Sequence, residues 1–135
     1  MPGKFAFIMR GVPGSGKSTT AKMLAGESGV IHAVDIYHTD EQGNFLWSDE
    51  LAEERYQKNF EEFVKSLDLQ IPIVVCDCIN VTRIEYLKYV RVSQERGYTT
   101  STVTMCPISP ESSEKRNKHD VTAEQVKEMY ERWEN

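Results

Sequence analysis

Residues 11–18 read Gly11-Val12-Pro13-Gly14-Ser15-Gly16-Lys17-Ser18, which is the full phosphate-binding loop pattern G-x-x-x-x-G-K-[ST]. In such a loop the glycines let successive backbone N–H groups turn toward a β-phosphate, and the lysine reaches the β- and γ-phosphates. The hydroxyl group of Ser18 is positioned to bind Mg²⁺. The pattern therefore predicts a nucleoside triphosphate site, and we expect ATP and Mg²⁺ as its cofactors.

The segments on both sides of the loop support this prediction. Residues 5–9 form an apolar run that predicts a buried strand, and residues 18–28 predict a helix whose positive N-terminal end faces the anion. A glycine-rich turn with a chance lysine is the alternative, and it would not call for both elements. We expect the nucleotide to contact Gly11, Val12, Pro13, Gly14, Ser15, Gly16, Lys17, Ser18 and Thr19.

Apolar runs alternate with helical segments along the chain. Strands are predicted at residues 5–9, 30–34, 71–76 and 99–105, with helices at 18–28 and 48–67, near 110–117, and after the capping residues Thr82 and Thr122. This alternation is typical of a parallel sheet with crossover helices. We therefore predict an α/β protein with a three-layer α/β/α fold, a parallel sheet of about four strands, and a single domain over residues 1–135.

The net charge of −5 is unevenly distributed. Residues 35–68 hold ten acidic residues against Arg55, Lys58 and Lys65, and such a flank repels polyphosphate backbones. We therefore expect no tight binding of duplex nucleic acid. No apolar run approaches the roughly 18 residues of a membrane span, and the start of the chain does not read as a signal peptide. We expect no membrane partner and a cytoplasmic location.

Ligands of open α/β sheets bind at the carboxyl ends of the strands, so polar residues just past the apolar runs are candidates for chemistry. Asp77 follows the third run, where a carboxylate can hold Mg²⁺ across from Ser18, or can cap the strand end. Asp35 ends the second strand and could accept the proton of an acceptor hydroxyl, or could cap a helix. Arg116 is a candidate lid arginine for the transferred phosphoryl group, or part of a solvated basic turn.

Other residues have a structural interpretation. His32 and His119 lack an evident ligand partner, and we interpret both as structural. Trp47 could stack on a base, but packing against its neighbours is the favoured interpretation. An apolar stripe on the helix at residues 48–67 is interpreted as core, and it consists of Tyr56, Phe60, Phe63, Val64 and Leu67.

Taken together, these residues resemble the polynucleotide-kinase-like family of phosphate-loop kinases over nearly the whole chain. The matching elements beyond the loop are Asp35-x-Tyr37, Asp77-x-x-Asn80 followed by Thr82-Arg83, Tyr98 entering the fourth strand, and Arg116-Asn117 followed by Val121 and a closing helix with Met129. Each element is weak alone, but their order and spacing together are fairly specific.

The resemblance implies that Asp35 is the general base and that Lys17 and Arg116 hold the transferred phosphoryl group. It places Asp77 near the metal and the phosphates, and it implies acceptor contacts from Asp35, His38, Asn80 and Arg83. Two departures bear on the substrate. His38 stands where the family carries an arginine that helps hold the reacting phosphate, and Cys78-Ile79 replaces a more polar pair.

The predicted function is transfer of the γ-phosphoryl group of Mg·ATP to a hydroxyl acceptor. A 5′-hydroxyl of an oligonucleotide or nucleoside is the first choice, so a single-stranded nucleic-acid end or a nucleoside is the expected partner. A nucleotide monophosphate or another small metabolite follows, although a monophosphate would need basic side chains where Asp35 stands. A non-catalytic NTP-binding switch or adaptor is the last alternative, and it would need only the loop.

Overall fold

The computed structural model describes residues 3–35, 41–42, 44 and 48–135. Strands and helices alternate in the order β1 (Phe5–Arg10), α1 (Lys17–Ala25), β2 (Gly29–His32), α2 (Asp49–Asp68), β3 (Ile73–Asp77), α3 (Arg83–Glu95), β4 (Thr99–Thr104), α4 (Pro110–Arg116) and α5 (Ala123–Glu131). None of these helices combines the length and the apolar character that a membrane crossing requires in the described part of the chain.

The four strands form one parallel sheet in the order β2-β3-β1-β4. Parallel neighbours require crossover connections, which the helices between the strands provide. The pairing sets Met9 opposite Asp77 and Arg10 opposite Thr104, so the segments that follow β1, β3 and β4 begin at the same edge of the sheet. The predicted α/β class and four-stranded parallel sheet are confirmed.

Helices cover both faces of this sheet and complete the three layers. On one face α2 and α3 pack over a core that includes Ile8, Phe63, Val74 and Tyr89. On the other face α1 packs over a smaller core that includes Met9, Ala21 and Val75. β1 and β3 are central and buried on both faces, so the loops that follow them start from rigid strands.

Two local expectations are corrected by the structure. β2 ends at His32, earlier than predicted, and Val34 and Asp35 lie in a 3₁₀ turn just past it. Ser48 occupies the N-cap position of α2 but makes no capping hydrogen bond through its side chain. Asp49 and Glu50 lie in the first turn of that helix, where negative charge stabilises the exposed N–H groups without a cap.

The last helix has an apolar pattern that predicts packing on the sheet, formed by Val126, Met129, Tyr130 and Trp133, but the helix does not lie on a sheet face. α5 packs against α4, and Trp133, which follows it, lies against Arg10 at the end of β1. The hydroxyl of Tyr130 accepts a hydrogen bond from the backbone N–H of Ile108. Both sheet faces are already occupied by α1, α2 and α3, so α5 covers the carboxyl edge instead.

Arg10 ties this edge together. It is only 3% exposed, and its guanidinium donates to the backbone oxygens of Asn80, Val81 and Glu134. The same group lies between two aromatic rings, 4.0 Å from the ring centre of Tyr86 and 4.5 Å from that of Trp133. A guanidinium presents a planar fork of donors and flat faces, so it can satisfy all these partners at once.

We expect Arg10→Met to lower the free energy of unfolding by about 2–4 kcal/mol, because two buried carbonyl groups, and a third that is partly buried, lose their charged donor. Urea unfolding followed by circular dichroism measures the loss. The matched control is Arg91→Met, which removes an exposed arginine from α3 and should change stability by no more than about 0.5 kcal/mol. Equal stability of the two variants would contradict the structural role of Arg10.

Candidate active site

The loop between β1 and α1 has the backbone geometry of an anion cradle. Gly14 and Gly16 have φ angles of +77° and +89°, in the left-handed region where a side chain is strained. Gly16 caps the N-terminus of α1, so the helix end points its N–H groups and its positive dipole toward the loop. Ser15 Oγ is buried without a hydrogen-bond partner among the described residues, a deficit that a phosphate oxygen would satisfy.

Lys17 and Asp77 form an ion pair at the centre of this edge. Lys17 Nζ donates to Asp77 Oδ1 at 2.6 Å, and the two side chains are 10% and 6% exposed. One partner begins α1 and the other ends β3, so the pair joins the loop to the central strands. Because charges are costly to bury alone, each of the two side chains holds the other in position.

A cavity of about 720 Å³ opens in front of this pair. The structure brings most of the residues predicted from the sequence into its wall, which includes Val12, Pro13, Gly14, Gly16, Lys17, Ser18, Thr19, Asp35, Asp77 and Arg116. These residues come from the loop after β1, the first turn of α1, the turn after β2, the end of β3 and the end of α4. The three residues expected to be catalytic, Lys17, Asp35 and Arg116, therefore face one common space.

The helix that carries Arg116 rests directly on the phosphate-binding loop. Ser113 Oγ donates a hydrogen bond to the backbone oxygen of Pro13. A Cβ atom placed on Gly14 would lie 2.9 Å from Cβ of Arg116 and 3.1 Å from the backbone oxygen of Ser113. The absence of a side chain at Gly14 thus permits α4 to approach the loop and to deliver Arg116 to the cavity.

The turn after α4 is shaped by Asn117. Its amide nitrogen donates to the backbone oxygens of Ser113 and Val121, and its amide oxygen accepts from the backbone N–H groups of His119 and Val121. This network directs His119 to Asp35, where His119 Nε2 lies 3.3 Å from Asp35 Oδ2. His119 was expected to be a structural residue without a partner, but it lines the cavity.

The donor chemistry of the cavity fits a complex of Mg²⁺ with a nucleotide. The hydroxyl of Ser18 and the carboxylate of Asp77 are hard oxygen donors, and Mg²⁺ usually combines one or two carboxylates with phosphate and water oxygens. Within residues 3–35, 41–42, 44 and 48–135, no group of three or more His, Cys, Asp or Glu residues could hold a metal. The predicted pair therefore fits a metal that arrives with the nucleotide.

Two residues predicted to contact the acceptor have their side chains engaged elsewhere. Asn80 is 3% exposed, and its amide nitrogen donates to the backbone oxygen of Met9. Arg83 Nε donates to the backbone oxygen of Asn135 at 2.9 Å. Asn80 lines a neighbouring cavity rather than the one that holds Lys17, and Arg83 lines neither, so their acceptor role stays a prediction. His38 and Trp47 lie outside the described residues.

Tyr56 and Arg132 are among the cavity residues that the sequence analysis missed. Tyr56 was assigned to the core stripe of α2, but it is 39% exposed and lines the cavity, whereas Phe63 and Leu67 of that stripe are buried. Burial of its hydroxyl, with nearby negative groups, raises the pKa of Tyr56 to about 12, so the phenol remains a neutral hydrogen-bond donor. Arg132 also lines the cavity, and its position past the end of α5 gave no signal.

Comparisons with known proteins agree with this architecture. The model of a family described as an AAA domain matches residues 7–135. NEDD4-binding protein 2 of Homo sapiens is 28% identical over 131 residues, which are 93% of this chain but only 7% of that protein. This chain therefore spans a small part of that relative's length.

Solved structures share the fold at low sequence identity. A chain of the Pnkp1/Rnl/Hen1 RNA repair complex superposes with a TM-score of 0.71 at 17% identity, over 98% of this chain and 44% of that one. A gluconokinase from Sinorhizobium meliloti 1021 superposes with a TM-score of 0.62 at 19% identity, over 99% of this chain and 76% of that one.

The sheet order and the loop define a phosphate-loop fold of the kinase-like type, in agreement with the resemblance to polynucleotide-kinase-like chains. The chain belongs to the AAA domain family.

The contact between α4 and the loop gives a test of site geometry. Gly14→Ala should weaken nucleotide binding by at least about tenfold, because the added methyl group collides with Arg116 and Ser113. Gly97→Ala is the control, since Gly97 has a similar φ of +79° but open space around it. Both variants should lose roughly 1–2 kcal/mol of stability from left-handed strain. Calorimetric titration with a non-hydrolysable ATP analogue should then separate them, and equal affinities would refute the packing argument.

Proposed function

We propose that this protein is a Mg²⁺-dependent phosphotransferase that moves the γ-phosphoryl group of ATP to a hydroxyl acceptor. The observation that carries the proposal is the common cavity in which Lys17, Asp35, Asp77 and Arg116 face the phosphate-binding loop. A protein that only binds a nucleotide needs the loop, whereas transfer also needs a base and a cation on the migrating group. We further propose that residues 1–135 act as one catalytic unit.

The loop and the N-terminus of α1 would bind the β- and γ-phosphates through backbone N–H groups, with Lys17 supplying a positive charge. Lys17 would exchange Asp77 for a phosphate oxygen when the nucleotide enters, so the buried cation keeps a negative partner throughout. Asp77 and Ser18 would hold the magnesium ion, which neutralises the charge of the phosphates when it is bound.

Asp35 would accept the proton of the acceptor hydroxyl as its oxygen forms a bond to the γ-phosphorus. The bond from that phosphorus to the bridging oxygen breaks, and ADP leaves with the electron pair. Arg116 would stabilise the negative charge on the transferring group, because α4 holds it at the wall of the cavity. Positioning and charge neutralisation account for this chemistry, without a covalent intermediate.

The 5′-hydroxyl of an oligonucleotide or nucleoside is the proposed acceptor, with a small metabolite as the alternative. The similarity of fold to a gluconokinase, as well as to a chain of an RNA repair complex, supports both. A non-catalytic nucleotide-binding module is the second candidate function. It is favoured by one observation, the match to a small part of a much longer human protein that is named for what it binds.

The first test removes the phosphate-binding cation. Lys17→Met should lower phosphoryl transfer by at least about 10²-fold, because its charge is needed where the phosphates bind. Label transfer from γ-labelled ATP to a panel of 5′-hydroxyl oligonucleotides, nucleosides and sugars measures the effect, and circular dichroism checks the fold. Wild-type protein that binds ATP but labels no acceptor would favour the non-catalytic module.

A second test separates the base from the clamp. Asp35→Asn should slow single-turnover transfer by about 10²–10⁴-fold and leave ATP affinity nearly unchanged, because a base touches the acceptor rather than the nucleotide. Arg116→Ala should slow transfer by roughly 10³–10⁵-fold.

Lys115→Ala is the matched control for the clamp, since Lys115 is the neighbouring exposed cation on α4 and does not line the cavity. It should transfer at the wild-type rate. Wild-type transfer by Asp35→Asn at saturating acceptor would remove the base assignment, and the same result for Arg116→Ala would remove the clamp.

A further inference from the structure

A second cavity of about 520 Å³ adjoins the first. Its wall is formed by the N-terminal half of α2, the segment after β3, the N-terminal half of α3, and α5. Five residues line both cavities, namely Tyr56, Cys78, Ile79, Met129 and Arg132. A molecule in the second cavity would therefore meet the phosphate cavity at this shared wall. The volume is that of a site for one small organic molecule.

Apolar side chains form much of the second cavity. Ile79, Val81 and Met129 line it, and Ile84 at its edge is 86% exposed. Tyr56 contributes a neutral phenol at the shared wall. A mostly apolar cavity with a few polar groups suits a ring-bearing ligand that carries hydroxyl groups.

Three of the five charged side chains described on this wall are acidic. Among the described residues, the acids of the wall are Asp49, Glu53 and Glu85, and its cations are Lys88 and Arg132. Glu85 accepts hydrogen bonds from the start of α3, and Lys88 Nζ lies 5.0 Å from the ring centre of Phe60. Arg132 lies where the two cavities meet, so it serves the phosphate side as much as the acceptor side.

Residues 23–54 contain eight acidic residues and no lysine or arginine, so this segment of the chain supplies no permanently charged cation. This segment runs from α1 through Asp35 to the first turns of α2, and both Asp35 and α2 border the cavities. Of the residues that the structure describes, the phosphate cavity has four cations of its own, Lys17, Lys22, Arg116 and Lys118, beside the acids Asp35, Asp77, Asp120 and Glu128. In the same described part of the chain, the second cavity has one cation of its own, Lys88, beside the acids Asp49, Glu53 and Glu85, so an anion meets more cations on the nucleotide side.

From this separation of charge, we infer that the second cavity is the acceptor site and that its substrate is an uncharged, ring-bearing hydroxyl compound of nucleoside size. The inference rests on the proposed phosphotransferase function and names its substrate class. A phosphate group on the acceptor would lie near the α2 acids without a cation of its own, and like charges at a binding surface are strongly unfavourable. Among the proposed acceptors, the inference thus narrows the choice to a nucleoside or a small uncharged metabolite, and it disfavours oligonucleotide ends and nucleotide monophosphates.

Paired probes that share their ring and their free 5′-hydroxyl but differ by an anionic group test this class. Each ribonucleoside is compared with its 3′-monophosphate. Labelled phosphate transfer gives kcat/KM for each probe. We expect the uncharged member of any pair that is used to be preferred by at least about tenfold.

A charge variant assigns the preference to this wall. Glu53→Gln should narrow the discrimination within a pair by about 2- to 5-fold, the range of a partly solvated charge interaction. Glu54→Gln is the control, because it removes the same charge from the next residue of α2, which is exposed and does not line the cavity. It should leave the discrimination unchanged.

The outcomes separate this inference from the function on which it rests. Equal or better use of the anionic member, transfer to no uncharged probe, or equal effects of the two variants would overturn the acceptor class while phosphotransfer stands. If the protein binds ATP but passes phosphate to no probe of either kind, the phosphotransferase proposal fails together with it.

Discussion

The ion pair between Lys17 and Asp77 is the interaction on which the site depends. It joins the first residue of α1 to the last residue of β3 at 2.6 Å, in a place where neither charge could remain buried alone. The loop, the sheet edge and the cavity wall are therefore held relative to one another by this pair. In the proposed function, a polyphosphate would offer Lys17 a new partner and would leave the Asp77 carboxylate free to bind a metal ion.

Charge is sorted around that pair by the order of elements along the chain. Basic residues of the first cavity come from α1 and from the region of α4, whereas the acids of the second cavity come from the first turns of α2 and from α3. The parallel sheet brings both groups to one edge, and the inferred preference for an uncharged acceptor follows from this arrangement. His119 lies at the border, where its contact with Asp35 bridges the two sides.

The sequence was sufficient for features that depend on local pattern. The loop motif, the alternation of strands and helices, and the strand-end position of Asp77 all follow from short-range rules, and the fold agrees. The contact of His119 with Asp35 joins residues far apart in the chain, and it depends on how Asn117 folds its turn. Asn80 fits a motif, but its amide nitrogen donates to the backbone oxygen of Met9, because a polar group buried at that position needs a hydrogen-bond partner. Such outcomes are decided by packing, which a spacing pattern does not contain.

The hydrogen bond from Arg10 to the backbone oxygen of Glu134 joins the end of β1, just before the phosphate-binding loop, to the segment beyond α5. On a ribosome the loop at residues 11–18 is made before α4, with its arginine, and before Trp133, which lies against Arg10. Contacts of such long sequence separation form late, because chain closure must precede them. The cavity is thus completed only after α4 and the segment beyond α5 have been synthesised, so a nascent chain carries the motif before it has the site.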